Sequence, residues 1–311
     1  MSHKCARCSG RRFLKFVPEA RIDVIKSGLI CLTPPQKLND PFEVNPIITE
    51  LDSDNYNIRN MGYGFRYEDL TEEDIEYGNE RARRRVEYRD KYQTYANSLG
   101  ILSLVSGEHM SIMPGVEVVN PKDPRRNLLM WSHYANQHKG FVIEFSSDFM
   151  ELEGINEDDI IQVEYDDERI EIFYEEIDQK WAGPFYQKGI CWSYEQEWRL
   201  VRPLAEATVV TEDNNHLFRF NRASIISVTA GSRMSKENKK DLQELIFNDP
   251  ELAYTHYLEA EVGNKHNTVE FNNVLLHKGH IMTNKSEFGM ESIREHYNQL
   301  CPTSMKGFLM G

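Results

Sequence analysis

The sequence predicts an α+β fold: mixed, largely antiparallel sheets with flanking helices. Short apolar runs such as Phe13 to Val17, Leu29 to Leu32 and Phe141 to Phe145 alternate with helix-like segments, without the strict rhythm of a parallel strand–helix–strand protein. Pro18, Gly28, Pro34-Pro35 and Asn39-Asp40 punctuate the chain at the ends of those runs. The composition of the 311 residues, 40% hydrophobic and 28% charged, is that of a globular protein. The expected organisation is one α+β domain over residues 1–280 with a charged helical insertion near 66–98, then a helix and tail over 281–311.

Phe13 to Val17 reads as a strand, and Pro18 opens a helix through Val24 and Ile25 that Gly28 closes in a left-handed cap. Leu29 to Leu32 is a second strand, and Asn39-Asp40 suits an Asx turn. Thr71 followed by Asp74 marks the start of the charged helix. Within it Arg81 to Arg85 reads as a solvated face laced with acid–base pairs. Gly100 to Ser106 is a strand, Asn127 to about Gln137 a helix and Phe141 to Phe145 a strand. Gln162 to Tyr165 is expected as a strand, Asp167 to about Trp181 as a helix, and Trp192 to Val201 as a strand. Ala223 to Thr229 is a strand, Ser235 to Phe247 a helix, Tyr254 to Val262 and Thr268 to Leu276 strands, and Glu287 to Leu300 a helix.

The 36 Lys and Arg against 50 Asp and Glu give a net charge of −14, the wrong sign for a protein that coats nucleic acid by neutralising phosphates. No apolar run reaches the ~18 residues that span a bilayer, so the expected location is the cytoplasm, with no membrane partner. The five cysteines, Cys5, Cys8, Cys31, Cys191 and Cys301, are an odd and scattered set without a disulfide framework. Cys5 and Cys8 form half of a zinc pattern, but no second pair completes it, and no metal site is expected.

Three segments concentrate chemistry-bearing residues: Asn39 to Glu43 (NDPFE), Leu129 to Gly140 (LMWSHYANQHKG) and Tyr194 to Arg199 (YEQEWR). With Ile225 to Arg233, and in this order, they resemble the bacterial domain of unknown function 2971 family. The order of elements around them also resembles the ADP-ribosyltransferase fold. That resemblance implies NAD as substrate and transfer of ADP-ribose to a macromolecular acceptor, protein or nucleic acid. It also implies a role as a toxin or phage-defence effector, with an inhibitory partner protein possible in that role. Glu195-x-Glu197 is similar to the paired-glutamate motif of some of these transferases, with Glu197 the central catalytic residue and Glu195 activating the acceptor. Lys15, Thr33 and Asn39 would bind ribose or phosphate, while Ser103, Trp131, Ser132 and Tyr134 would frame nicotinamide and Arg199 would complete the cofactor site. Lys15 stands where the transferases usually carry His or Arg, and no threonine or second serine continues a Ser-Thr-Ser motif, which leaves a repurposed fold open.

The chemistry suits these residue types. Cleavage of the nicotinamide glycosidic bond passes through an oxocarbenium-like state that a fixed carboxylate stabilises. On an extended strand Glu195, Glu197 and Arg199 would share one face, with Tyr194, Trp198 and Leu200 on the other. Each assignment has a structural rival. Glu197 with Arg199 also reads as an ion pair on a sheet face, Trp131 and Tyr134 as core, and His133 and His138 as capping or surface residues. Two other functions remain: a non-catalytic nucleotide- or partner-binding module, and a metal-dependent nuclease built on Asp40, Glu43 and the glutamate pair.

Overall fold

The structure is a computed structural model that describes residues 11–49, 71–107, 123–150, 155, 157–174, 181–264, 267–277 and 280–283. The Cys5/Cys8 pair, Cys301 and the helix expected over Glu287 to Leu300 lie outside the described residues.

In chain order the elements are β1 (Arg12–Val17), α1 (Asp23–Ser27), β2 (Leu29–Leu32), β3 (Ile47–Thr49), α2 (Glu72–Asn97), β4 (Leu99–Gly107), α3 (Leu128–Tyr134) and β5 (Phe141–Ser146). Four short strands follow: β6 (Ile160–Gln162), β7 (Glu164–Tyr165), β8 (Glu171–Phe173) and β9 (Gln187–Lys188). Then come β10 (Glu197–Pro203), β11 (Val209–Val210), β12 (His216–Arg219), β13 (Ile225–Ala230) and α4 (Lys236–Asn248). The last three are β14 (His256–Val262), β15 (Val269–His277) and β16 (His280–Thr283).

Nine strands form the main sheet in the order β16-β15-β14-β13-β5-β1-β4-β10-β6. Every pairing in it is antiparallel except β13 with β14, so the α+β class with mixed, mostly antiparallel sheets is what the chain adopts. Alternation along the central strands divides the apolar side chains between two faces. Phe13, Val17, Leu102, Leu104, Ile143 and Phe145 pack into one core, which α4 covers with Leu242 and Ile246. Leu14, Phe16, Val105, Val142 and Trp131 pack on the other face beneath α3. A third cluster, including Tyr92, Ala96, Ile101, Ile172 and Phe185, lies under α2.

The sheet opens between β1 and β4. Their ladder runs only from Arg12↔Gly107 to Leu14↔Val105, whereas β1 and β5 pair along all of β1. Just past the last pair, the Lys15 ammonium donates to the Ser103 carbonyl at 2.8 Å. Gly28 ends α1 at φ 67°, the left-handed conformation glycine adopts without penalty, and turns the chain into β2 as expected.

Several expectations need correction. The Asp167 to Trp181 segment contains strand β8, not a helix, among its described residues, because buried Ile172 packs in the third cluster and the strand pairs in parallel with β3. The Gln162 to Tyr165 run divides into β6 and β7, which pair with different partners, β10 and β9. The helix at Asn127 stops at Tyr134, since Asn136, Gln137 and His138 all take positive φ. Gly140 follows because a Cβ there would sit 2.1 Å from the Val17 carbonyl. Strand β16 carries the sheet past the expected boundary at residue 280. Strand β12, which pairs onto β2, and β11, which pairs onto β12, had no counterpart in the sequence. The charged helix from Glu72 is present, and its exposed Arg84–Glu80 and Lys91–Glu87 pairs at i, i+4 give it the solvated face expected. Among the described residues no helix is long and apolar enough to cross a membrane.

Candidate functional site

A buried ion network lies where the start of β10 meets β9, α3 and the Asn39 to Glu43 turn. Arg199, with no exposed surface, projects from β10 opposite Ser103 of β4. Its Nε donates to Glu197 Oε1 at 2.8 Å and its Nη2 to Glu197 Oε2 at 2.9 Å, a bidentate grip. Nη1 donates to the Phe185 carbonyl at 2.9 Å, and Nη2 also meets the Glu43 carboxylate. The Glu197 backbone N–H donates to the Tyr165 hydroxyl at 2.8 Å, and the Ser103 side chain also hydrogen-bonds its carboxylate.

Lys188 of β9 is the hub. Its Nζ lies 2.7 Å from Glu195 Oε2, 3.1 Å from Glu43 Oε1 and 3.2 Å from Glu197 Oε2, and it sits 4.8 Å above the Trp192 ring. Glu195 reaches it by an unexpected route. Residues Ile190–Glu195 form a 3-10 helix, Gln196 takes φ 47°, and the strand begins only at Glu197. The two glutamates therefore do not share a strand face through simple alternation. The left-handed turn at Gln196 lets both carboxylates meet one ammonium. The Tyr134 hydroxyl donates to Glu195 Oε1, and the Asn39 side chain bonds the Tyr134 hydroxyl in turn.

These surroundings drive the two glutamates apart. Burial pushes the Glu197 carboxyl up, but Arg199 and Lys188 outweigh it and hold the group down to about 2, so it is ionised throughout the physiological range. Burial raises Glu195 above the ordinary carboxylate range despite Lys188 and the Tyr134 hydrogen bond, and the Glu197 charge adds to the rise. Burial also lowers Lys15, against the pull of Glu197, Cys31 and Glu195. Tyr194, desolvated beside Glu195, is pushed up to about 12.

Two clefts flank the network. One, of 360 Å³, is lined by Asp40, Glu43, Asp167, Lys188 and Cys191 among others. The second, of 250 Å³, is bounded by Val105, Arg126, Asn127, Met130, Tyr194 and Glu195. Asn127 ties the second cleft together, since its Oδ1 caps α3 through the Leu129 N–H at 3.0 Å and its Nδ2 donates to the Tyr194 carbonyl at 2.8 Å.

Lys15, Asn39, Ser103, Tyr134, Glu195, Glu197 and Arg199 are thus brought into one neighbourhood. Three other expected residues are not. Trp131 is fully buried, packs edge-on against Phe16 and stacks on His138, and its Nε1 donates to the Arg125 carbonyl, so it is core and offers no face to a cofactor. Ser132 is exposed and returns its hydroxyl to the Leu128 carbonyl. Thr33 bridges Ile101 through its backbone. His133 is a surface residue bonded to the Tyr194 hydroxyl at 2.9 Å. The residues that sequence reasoning missed are Lys188, which no motif marked, and Glu43 as an ion-pair partner instead of a metal ligand. The metal reading loses its ligands to these contacts. Asp40 Oδ1 accepts the Phe42 N–H of an Asx turn, and Glu43, Glu195 and Glu197 are paired with Lys188 and Arg199. Among the described residues no group of three or more His, Cys, Asp or Glu is placed to hold a metal ion.

The fold and site define an α+β protein with a buried glutamate–lysine–arginine network under two clefts. The family model described as "Protein of unknown function (DUF2971)" matches residues 130–200, which include most of α3, all of β9 and the first residues of β10. The chain carries a DUF2971 region over that stretch, in line with the resemblance read from its motifs. No curated protein and no solved structure matches the chain.

Proposed function

We propose that the network is the active site of an NAD-consuming ADP-ribosyltransferase. The observation that carries this reading is the split in proton affinity between two adjacent glutamates beside the opening of β1 from β4. A pair of carboxylates driven apart in this way divides the labour of acid–base chemistry. Glu197, ionised and clamped by Arg199, supplies a fixed negative charge toward which an oxocarbenium-like ribose is drawn. Glu195, with its raised pKa and its place on a cleft wall, takes the proton of the acceptor group. In the reaction the bond from ribose C1′ to the nicotinamide nitrogen breaks, and its electron pair leaves on nicotinamide. The acceptor atom bonds to C1′ and its proton passes to Glu195. This is the division of roles that the paired-glutamate resemblance implies, and of the two glutamates Glu195 is the one that lines the 250 Å³ cleft.

The test is nicotinamide release from NAD by wild type, Glu195→Gln and Glu197→Gln, with cell extract as acceptor source. Release by wild type that falls by ~10²-fold or more in Glu195→Gln is expected. Release unaffected by Glu195→Gln overturns the assignment.

The saturation of Glu197 by Arg199 and Lys188 favours a second reading, a nucleotide-binding module without turnover. That reading predicts NAD binding with no nicotinamide release and with tolerance of Glu195→Gln.

A further inference from the structure

The partly buried and buried arginines of the network and the cores pair with carboxylates. Arg12 meets Glu144 at 3.0 Å, Arg125 meets Asp123 at 3.1 Å, Arg199 grips Glu197, and Arg222 meets Glu251 at 2.8 Å. Arg126 differs. It is half-buried on the wall of the 250 Å³ cleft, and among the described residues its partner is a neutral hydroxyl, Thr268 Oγ1 at 2.8 Å from its Nη2. In a chain with a net charge of −14, a half-buried guanidinium whose partner among the described residues is a hydroxyl, in a cleft whose carboxylates Asp123 and Glu195 pair with Arg125 and Lys188, is an unfilled anion position.

Glu195 lines the same cleft, with the polar Asn127 and Gln196 and the apolar Val105 and Met130. The adjoining loop is rigidly held. Arg125, fully buried beside Arg126, is anchored to Asp123 and reaches Thr229 at 3.3 Å, while Asn127 is tied to Tyr194. A whole dinucleotide needs a pocket of ~300–1,000 Å³, so 250 Å³ holds only part of one.

We infer that this cleft is a ribose-phosphate subsite, with Glu195 receiving the ribose hydroxyls and Arg126 the phosphate. The inference rests on the nucleotide reading of the site but not on turnover. Asp123, the other carboxylate on the cleft wall, is neutralised by Arg125 and does not repel the anion. Arg126 can offer the phosphate the guanidinium N–H groups that Thr268 does not take.

The experiment is calorimetric titration of the full chain with ADP-ribose and with nicotinamide riboside, which lacks a phosphate. The wild type is expected to bind ADP-ribose with an affinity that weakens as salt rises. Arg126→Ala should weaken ADP-ribose roughly tenfold or more while leaving nicotinamide riboside unchanged, and Arg126→Lys should restore most of the loss. Thr268→Val, which keeps the guanidinium and removes its orienting hydroxyl, should give an intermediate loss. Equal ADP-ribose affinity in wild type and Arg126→Ala overturns the subsite. So does equal weakening of both ligands, or failure of the wild type to bind ADP-ribose. Arg126-dependent binding without nicotinamide release would refute the transferase reading and leave the subsite standing.

Discussion

Two buried ion networks stand out among the described residues, and their contrast separates what charge does for a fold from what it can do for chemistry. One joins Arg125, Asp123, Glu144 and Arg12 around the centre of the main sheet. The Glu144 carboxylate accepts from Arg12 at 3.0 Å and from the Ser227 hydroxyl. There, Arg125 and Arg12 outweigh the burial that pushes Glu144 up and hold it below the ordinary range, while Asp123 and Glu144 raise Arg125. Every shift named deepens the ionised state. The other network sets Glu43, Glu195 and Glu197 around Lys188 and Arg199, and two carboxylates one residue apart shift in opposite directions. The first holds the loop before α3 onto the sheet. In the second, burial raises one carboxyl beside a cleft while its neighbour is held ionised, the kind of split that acid–base chemistry uses.

The largest effects should be common to both networks. Arg125→Met and Arg199→Met each leave buried carboxylates without their main partner and should each cost about 3–5 kcal/mol of stability in urea unfolding. A cost below about 1 kcal/mol for either would mean that water already relieves the network.

The next experiment pulls the two apart. Glu195→Gln should lose ~10²-fold or more in nicotinamide release with little change in urea midpoint, while Glu144→Gln should lower the midpoint and spare the activity of the folded fraction. The signs follow from the shifts. Glu197, lowered from 4.5 to about 2, contributes stability that is full above pH ~4.5 and lost as pH falls toward 2. Glu144 acts in the same direction. Glu195 acts in the other: its contribution is present below its unfolded pKa and is lost as pH rises through its raised value. Acid unfolding of Glu195→Gln should therefore resemble wild type, and its stability at neutral pH should not fall.

Lys188→Met sharpens the comparison further. Removing the ammonium 2.7 Å from Glu195 should drive the acid limb of the activity–pH profile upward, because Lys188 is the main influence holding Glu195 down. Arg12→Met, in the other network, should leave that limb in place. A Lys188→Met profile superimposable on wild type would show that Glu195 does not govern the rate. The smallest effect expected is that of Tyr165→Phe, which removes the hydroxyl that accepts the Glu197 N–H and should cost about 1 kcal/mol in the same unfolding assay.

The elements that the sequence made legible are those whose causes lie within a few residues. Gly28 with the helix before it, Ser235 as the cap of α4, and the β-branched and aromatic runs of β1, β5 and β13 announce themselves by local rules. The short strands β8, β11 and β12 did not. Each is two to four residues long and exists only because a partner strand lies beside it, which no periodicity over such a length encodes.

The same division runs through the site. By itself the sequence determined which segments meet in the network: NDPFE, the α3 segment with Tyr134, and YEQEWR, whose glutamates both enter it. Only the tertiary structure decided how they meet. Arg199 finds Glu43 across 156 residues of chain, Lys15 finds Ser103 across 88, and the left-handed Gln196 turns Glu195 toward the same ammonium as Glu197. Trp131, legible as an aromatic beside a tyrosine, is core for the same reason. The face of α3 it occupies is set by the sheet beneath, against Phe16. Burial and charge pairing are properties of groups brought together from distant segments, so the proton affinities that divide the two glutamates arise only when the chain has folded.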